Sequence, residues 1–478
     1  MEPSLNFTSW ELRLLFVLFV RLLPGAGNAV AQTPSWGLRN IMGAIETPSG
    51  YYAFQTVAIN ATTAWHLMAP NGADLGLESA THVARTTDGQ HWSYLPITGT
   101  PGYGALSLTA VDANTAYVAR VHTGPGSSAG GEILRTTDGG WSWTKVTTTE
   151  FTSTGSFLFW VHFFDATNGL AFGAPVNGSC EVYRTTDAAA TWQRVPAANL
   201  PALLPGEGSA WYYYALGNTV WVGNGIFRGG VRVFKSTDRG LTWSASAPTG
   251  LNSYAASLTF KDSDNGLAIS GLALDGSQAL VCTTDGGATW TRITPAANAL
   301  GRFYASKLDA IPGAFLSVGV NDKVWGSSVS VDGITWTDIE PGRSNYPHLL
   351  SINAVSATVA FAATSTESTG AGGIYQLSGS LLAGVVTAAA SGRAAPGLTA
   401  YPNPSATGVF QLQLAAAPGP GSQVRVLDVV GREVARHQLP CSPAGLQTSV
   451  DLSREAVGAY VLELRTGAGS QRVRVWSK

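Results

Sequence analysis

One short pattern returns six times in this chain of 478 residues, and its spacing constrains the fold more than any other feature. The fullest copy is Ser236-Thr237-Asp238-Arg239-Gly240-Leu241-Thr242-Trp243. The others place Asp88 before Trp92, Asp138 before Trp143, Asp187 before Trp192, Asp285 before Trp290, and Asp332 before Trp336. The aspartates follow one another at 50, 49, 51, 47 and 47 residues. A period of this size means one supersecondary unit copied around or along an axis.

Each repeat has the same internal order. An apolar strand leads to a turn, a small-residue strand, a variable loop, a strand running into the motif, and a short strand after the tryptophan. In the third repeat these parts are Phe157–Phe164, the turn at 165–169, Leu170–Ala174, Glu181–Arg184 and Gln193–Val195. Four short strands per ~45–50 residues is the plan of a β-propeller blade. The motif falls in the hairpin between the third and fourth strands. There Asp and Ser/Thr side chains bond backbone N–H groups, Gly allows positive φ, and Trp supplies an apolar plate. The copies at Asp88 and Asp332 are one residue shorter between Asp and Trp. The copy at Asp187 carries alanines where Gly would stand, which predicts a looser or differently shaped turn.

The register exposes a seventh unit. Thr358–Thr364 matches the second strand, Ile374–Leu377 the third, and Gly379 falls 47 residues after Asp332, where the aspartate would be. Its fourth strand is expected from the region Trp36–Asn40, an exchange that closes the ring and removes both free edges. The fold class is all-β: a seven-bladed β-propeller, with six or eight blades as alternatives, followed by a small Ig-like β-sandwich. The organisation is an export signal at 1–31, the propeller at 32–383, a linker rich in Ala, Gly and Ser at 384–399, and the sandwich at 400–478.

Charged residues make up 12 % of the chain, about half the usual share, and the net charge is −2 with no basic run, so nucleic-acid binding has little electrostatic support and is not expected. The apolar stretch Leu14–Val20 and the small-residue pattern Ala29-Val30-Ala31 read as a signal peptide, and no stretch is long and apolar enough for an integral membrane protein. The three cysteines Cys180, Cys282 and Cys441 give no disulfide framework and no metal knuckle, and Cys180 and Cys282 are expected to be unpaired.

The six motifs resemble the Asp-box, or BNR repeat, over residues 36–380. Proteins with this repeat include sialidases, sortilin-type receptors, xyloglucan-cleaving glycosidases and the photosystem II stability and assembly factors, and the running pattern here is most similar to the last. After residue 400 the order Pro402, Asn403, Pro404, then Gly431, then Gly458 and Tyr460 resembles the type A sorting domain of the type IX secretion system of Bacteroidetes. That resemblance implies a partner, the type IX secretion machinery, engaged through residues 400–478. It implies export through the periplasm to a secreted, extracellular or outer-membrane-surface location, which argues against a photosystem role.

Six equivalent aspartates around a rim do not converge on one pocket, so they read as hairpin fasteners rather than catalysts. Arg292-Ile293-Thr294-Pro295 only loosely echoes the sialidase Arg-Ile-Pro motif. Arg85, Arg135, Arg184 and Lys235 occupy equivalent places before the motif and read as a solvated strand face. A glycosidase needs two carboxylates about 5–10 Å apart. Asp112, Asp165, Asp262 and Asp309 follow the first strands and have turn roles, while Glu46, Glu150, Glu207 and Glu340 lie in loops between blades; no pair stands out. The histidines lack metal-ligand spacing, so neither metal nor cofactor is expected. Aromatics recur where each loop enters the innermost strand: Tyr52, Tyr103, Trp211, Tyr254, Tyr304 and Tyr346, with His348. Around the channel mouth they can stack on sugars or grip a peptide; the alternative is that they pack between blades. The functional reading is a secreted or cell-surface binding or scaffold protein for a glycan or surface protein. The alternative is a secreted glycoside hydrolase of sialidase- or xyloglucanase-like type.

Overall fold

The computed structural model describes residues 34–41, 51–70, 80–122, 130–147, 150–226, 230–251, 256–270, 279–296, 301–343, 346–364, 373–382, 398–414, 419, 421–429, 431–439, 447–466 and 469–477. The predicted signal peptide lies outside these residues, as does most of the predicted linker; the first strand of the C-terminal module begins at Leu398, two residues inside the span read as linker.

Seven four-stranded antiparallel sheets follow one another along the chain. Blade 1 is Tyr51–Ala58, Ala64–Pro70, His82–Thr86 and Ser93–Pro96; blade 2 is Tyr103–Ala110, Ala116–His122, Gly131–Thr136 and Thr144–Lys145. Blade 3 is Leu158–Phe163, Gly169–Val176, Ser179–Thr185 and Gln193–Arg194; blade 4 is Glu207–Leu216, Thr219–Ile226, Val231–Ser236 and Ser244–Ala245. Blade 5 is Ala256–Phe260, Gly266–Ser270, Leu280–Thr283 and Thr291–Ile293; blade 6 is Lys307–Ile311, Ala314–Asn321, Val324–Ser330 and Thr337–Asp338. Blade 7 is Leu349–Ser356, Val359–Thr364 and Gly373–Ser378, completed by Ser35–Ile41 from the beginning of the described chain, with Trp36 opposite Leu377 and Gly37 opposite Gln376. The first strands touch in chain order, and that of blade 7 touches that of blade 1, so the sheets close into a ring.

The core is divided among the junctions. Each apolar cluster of the propeller draws on two adjacent blades: Trp65, Leu67 and Leu95 of blade 1 pack with Leu108, Val118 and Leu134 of blade 2. Trp221, Val231 and Val233 of blade 4 pack likewise with Leu258, Phe260 and Val281 of blade 5. A smaller set, Ala53, Met68, Ala84, Ala363 and Ile374, seals blade 7 to blade 1.

The repeated motif explains its own composition. In the copy at Asp238, Ser236 Oγ donates to Asp238 Oδ1 at 2.7 Å and accepts from Gly240 N at 2.8 Å, while Thr242 donates from its N and Oγ1 to the carboxylate at 2.9 and 2.6 Å. The copy at Asp187 corrects the expectation of a looser turn. Thr185, Asp187 and Thr191 make the same bonds, and Ala188 and Ala189 adopt φ of 60° and 69° to allow it. The bonds outweigh the steric cost of a left-handed alanine. In the shorter copies the N–H closing onto the Ser/Thr hydroxyl comes from the third residue on, Gly89 or Gly333, rather than the fourth.

The basic residues before the motif are not a merely solvated face. Arg135 Nη1 donates to Ala188 O of the next blade at 3.4 Å and Arg184 Nε to Arg239 O at 3.0 Å. Arg85 and Lys235 lie over the rings of Trp65 and Trp221, and Trp221 Nε1 donates to Gly286 O of the next blade at 2.8 Å. The turns at Asp187, Asp238 and Asp285 thus offer carbonyls to the preceding blade, so there the motif fastens blade to blade as well as strand to strand. Cys180 is free and buried. Cys282 is bonded in a disulfide, which corrects the expectation that both stand unpaired; spacing along a chain does not report distance across a fold. Cys441 lies outside the described residues.

Hydrogen bonds from the Ser142 side chain and backbone hold Asp138 down at about 2, and those from Thr191 do the same for Asp187, against an ordinary value of 3.8. Both carboxyls are lower in the folded than the unfolded state, so their contribution is complete above about pH 4 and is lost as pH falls toward about 2. The difference in urea midpoint between the native chain and an Asp138→Asn, Asp187→Asn double variant is expected to stay constant between about pH 7 and pH 5 and to shrink below about pH 4, the native chain losing stability more steeply there. Parallel acid limbs for the two proteins would refute this.

The C-terminal module pairs a three-stranded sheet, Leu398–Tyr401, Val409–Leu414 and Gln447–Asp451, with a four-stranded one, Glu433–Gln438, Gln423–Leu427, Gly458–Thr466 and Gly469–Ser477. Phe410, Leu412, Val424, Val426, Leu462 and Leu464 fill its core. Asn403 clasps the last strand: its Nδ2 donates to Arg474 O at 2.7 Å and its Oδ1 accepts from Trp476 N at 3.0 Å. The flanking Pro402 and Pro404 follow cis peptide bonds, and Gly431, at φ 86°, closes a turn onto Asp428 O. Gly458 opens the strand that carries Tyr460, whose hydroxyl donates to Ala456 O.

Candidate functional site

The first strand of every blade has one unpaired edge facing the ring axis, and its N–H groups need partners. Polar side chains from the neighbouring first strand supply them. Gln55 Oε1 accepts from Leu108 N at 2.8 Å, Ser107 Oγ from Val161 N at 3.0 Å, and Ser257 Oγ from Leu308 N at 3.2 Å. Asp309 Oδ2 accepts from Ala354 N at 2.6 Å, and Asn353 Oδ1 from Ala58 N at 2.8 Å. Thr56 Oγ1 meets both Ser351 Oγ and His66 Nδ1, at 2.7 and 2.9 Å.

These strands enclose an axial cavity of about 260 Å³, lined by all seven blades. Its wall carries Lys307, Asp309, His162, Tyr212, Tyr213 and Tyr214 among smaller groups. Burial pulls the Lys307 ammonium down to about 8, against the opposing pull of Asp309. Burial pushes Asp309 up to about 7, against the hydrogen bonds from Ala354 and Asn353 and the charge of Lys307. Burial also lowers His162 to about 4 and raises Tyr213 and Tyr214. The Lys307 ammonium lies 4.5 Å from the centre of the Tyr212 ring.

Asp309 therefore corrects the sequence reading. It lies inside the first strand of blade 6, not in a turn after it, and faces the cavity. Lys307 and His162 were missed altogether. The available signal was Lys307-Leu308-Asp309, where period-two alternation sets two charged groups on one face of an innermost strand. Of the glutamates read as loop residues, Glu150, Glu207 and Glu340 do not reach the cavity lining; Glu207 corrects that reading, since it opens the first strand of blade 4 and pairs with Arg232 at 2.5 Å, while Glu340 pairs with Arg343 at 2.7 Å. Glu46 lies outside the described residues.

The predicted aromatic ring is only partly assembled. Trp211 packs on Phe157 and Phe159, with centroids 5.5 and 5.1 Å away. Tyr103 meets His122 edge-on at 5.2 Å. Tyr254 and the side chain of Tyr52 lie outside the described residues. Tyr304, Tyr346 and His348 come together around the start of one strand of blade 6. His348 stacks on Trp325 at 4.2 Å and 16°, the Tyr346 hydroxyl bonds Ser327 Oγ, and Tyr304 lies against Gly326. Arg343 lies over the Tyr346 ring at 5.6 Å. Among the described residues no group of three His, Cys, Asp or Glu side chains is placed to hold a metal ion, and no helix is long and apolar enough to cross a membrane.

The described architecture is that of a β-propeller carrying a C-terminal β-sandwich. Residues 399–476 match the model of the secretion system C-terminal sorting domain. That tail engages secretion machinery, and the protein is exported to the cell surface or extracellular space. No curated protein matches the chain. Among solved structures it is similar to the GH74 enzyme of Niastella koreensis, at 12 % identity over 93 % of this chain and 74 % of that one, TM-score 0.40. It is also similar to Trypanosoma rangeli sialidase, at 12 % identity over 93 % and 89 %, TM-score 0.40. A Dyadobacter fermentans protein of unknown function gives 13 % identity over 64 % and 96 %, TM-score 0.39. Likenesses this distant carry no activity across to this chain.

Proposed function

We propose that this protein is a binding or scaffold propeller sent outside the cell by a type IX secretion system, and that its ligand is a glycan or a surface protein. The observation that carries the reading is the cluster of Trp325, His348, Tyr346 and Tyr304 between blades 6 and 7. It lies at the end of the blades opposite the Asp-box turns; Tyr304 is buried there, Trp325, Tyr346 and His348 are half-buried, and charged Arg343 and Glu340 stand at the margin. Flat aromatic faces edged by hydrogen-bonding groups suit sugar rings and peptide side chains alike. Of the residues lining the axial cavity, one is a carboxylate, where hydrolysis of a glycosidic bond by the usual route takes two.

The test is a glycan array probed with the mature chain beside a Trp325→Ala variant, with hydrolysis assays on every sugar bound. Binding to a defined set of glycans, weakened about ten-fold or more in the variant, is expected for a stacking contact worth about 1–2 kcal/mol. Turnover of a bound glycan would replace the binding reading with the glycoside hydrolase one. A blank array would leave a protein partner.

A further inference from the structure

The axial cavity holds a cation that its own walls leave without a hydrogen-bond acceptor. Lys307 carries three donors, and among the described residues none meets an acceptor or a carboxylate within ion-pair distance; its near contact is the Tyr212 ring at 4.5 Å. The nearby carboxylate is already committed. Asp309 Oδ2 caps Ala354 N at 2.6 Å and accepts from Asn353 Nδ2 at 3.3 Å. Gln55 is equally occupied, with Leu108 bonded at both ends of its amide. The cavity opens to solvent and Lys307 is half-buried in its wall, so a small anion can reach an ammonium that has lost part of its hydration and has no acceptor in the wall to replace it.

We propose that the axial cavity is a binding site for one small organic carboxylate, with the anion on Lys307 and the body of the ligand against the Tyr212 ring. The chemistry selects this class. Lys307 offers a compact point charge that suits a single anionic head. Asp309 one turn of the pleat away disfavours a second negative charge, so a doubly charged phosphate fits less well. The Tyr212 ring, part of the cavity wall beside Lys307, suits a flat or apolar body. The volume of about 260 Å³ is slightly below that of drug-sized pockets, which limits the ligand to a few carbon atoms beyond its head group.

The pH dependence has a fixed sign. The titratable groups facing Lys307 are Asp309, His162, Tyr212, Tyr213 and Tyr214, and His66 stands behind Thr56. Burial keeps both histidines neutral near pH 7, with values of about 4 for His162 and about 3 for His66. Raising pH ionises Asp309 through about 7 and discharges Lys307 through about 8, and both changes repel or release an anion. Affinity therefore falls steadily between about pH 6 and pH 9.

The experiment titrates the mature full chain with benzoate, acetate and inorganic phosphate by calorimetry at about pH 6.5 and pH 9. In parallel, reductive methylation with formaldehyde is followed at each lysine by mass spectrometry. Benzoate is expected to bind more tightly than acetate, to lose about ten-fold or more in affinity at the higher pH, and to slow methylation of Lys307 but not of Lys235. Lys307→Met should abolish binding, while Tyr212→Ala should weaken benzoate more than acetate, with urea midpoints reported for each variant. The methylation readout uses unaltered protein, so it stands even if a variant fails to fold. An unchanged methylation rate at Lys307 with saturating benzoate, or phosphate binding more tightly than either carboxylate, would overturn the proposal.

Discussion

A chain that begins at residue 43 instead of 32 is expected to lose its closed ring. The segment Ser35–Ile41 is the fourth strand of blade 7 and pairs along the whole of Gly373–Ser378. Without it that strand presents a row of unpaired N–H and C=O groups, an edge that invites pairing with another chain. Trp36 is buried within the blade 6 and blade 7 core, and its indole Nε1 donates to Ser327 Oγ at 2.8 Å. Losing the indole alone costs about 3–5 kcal/mol by analogy with other buried tryptophans, and the unpaired edge adds to this. The shortened chain should be largely insoluble, or unfold at a markedly lower urea concentration, and a synthetic peptide of residues 33–42 added in trans should restore part of the loss. Equal solubility and midpoint for the two chains would show that blade 7 does not depend on this strand.

The second large effect is expected at Trp221. Its ring stacks on Phe260 of the next blade at 3.9 Å and 13°, Lys235 lies over it at 5.6 Å, and Nε1 donates to Gly286 O at 2.8 Å. One side chain thus fills the core between blades 4 and 5, places a cation and anchors a turn of the repeated motif. Trp221→Ala removes all three and leaves a cavity among Val231, Val233, Leu258 and Val281. The expected cost is about 3–5 kcal/mol, read as a fall in the midpoint of the first urea transition, with proteolysis beginning near residues 227–255. Trp141, 69 % exposed in the motif at Asp138, is the control; Trp141→Ala should shift stability by no more than about 0.5 kcal/mol. Similar losses for the two would mean that the blades do not depend on this junction.

Trp221 also shows how far sequence could be read. Its position recurs as Trp65, Tyr117 and Leu170, each directly across from the basic residue before the motif. The repeat placed Leu170 at the start of a second strand, and the others hold the same place in their own blades. What the spacing lacked was the rotation between blades, which carries each of these side chains and its basic partner onto the turn of the next blade. The same gap accounts for Arg135 and Arg184, legible as a repeated face but not as the latches they form with Ala188 and Arg239.

The candidate sites divide along the same line. Tyr304, Tyr346 and His348 were legible as aromatics at strand entrances, and they do gather, but around Trp325, which stands in a different strand and carries no motif. Trp211 has the same sequence context and packs instead on Phe157 and Phe159. Whether an aromatic at such a place faces solvent or core depends on the neighbouring blade, which no local pattern reports.

Sequence by itself determined the repeating unit, the turn chemistry of its glycine-containing motifs and the strand exchange that completes blade 7, because each rests on local hydrogen bonding or on period-two burial; the sorting tail was read from its resemblance to a family. The tertiary structure alone decided which groups meet on the axis. Lys307, Asp309, His162 and Tyr212 come from blades 3, 4 and 6, and nothing short of ring closure brings them around one cavity. Enclosure there is also what shifts their titration, since the desolvation felt by Lys307 and Asp309 belongs to the assembled ring and not to either strand.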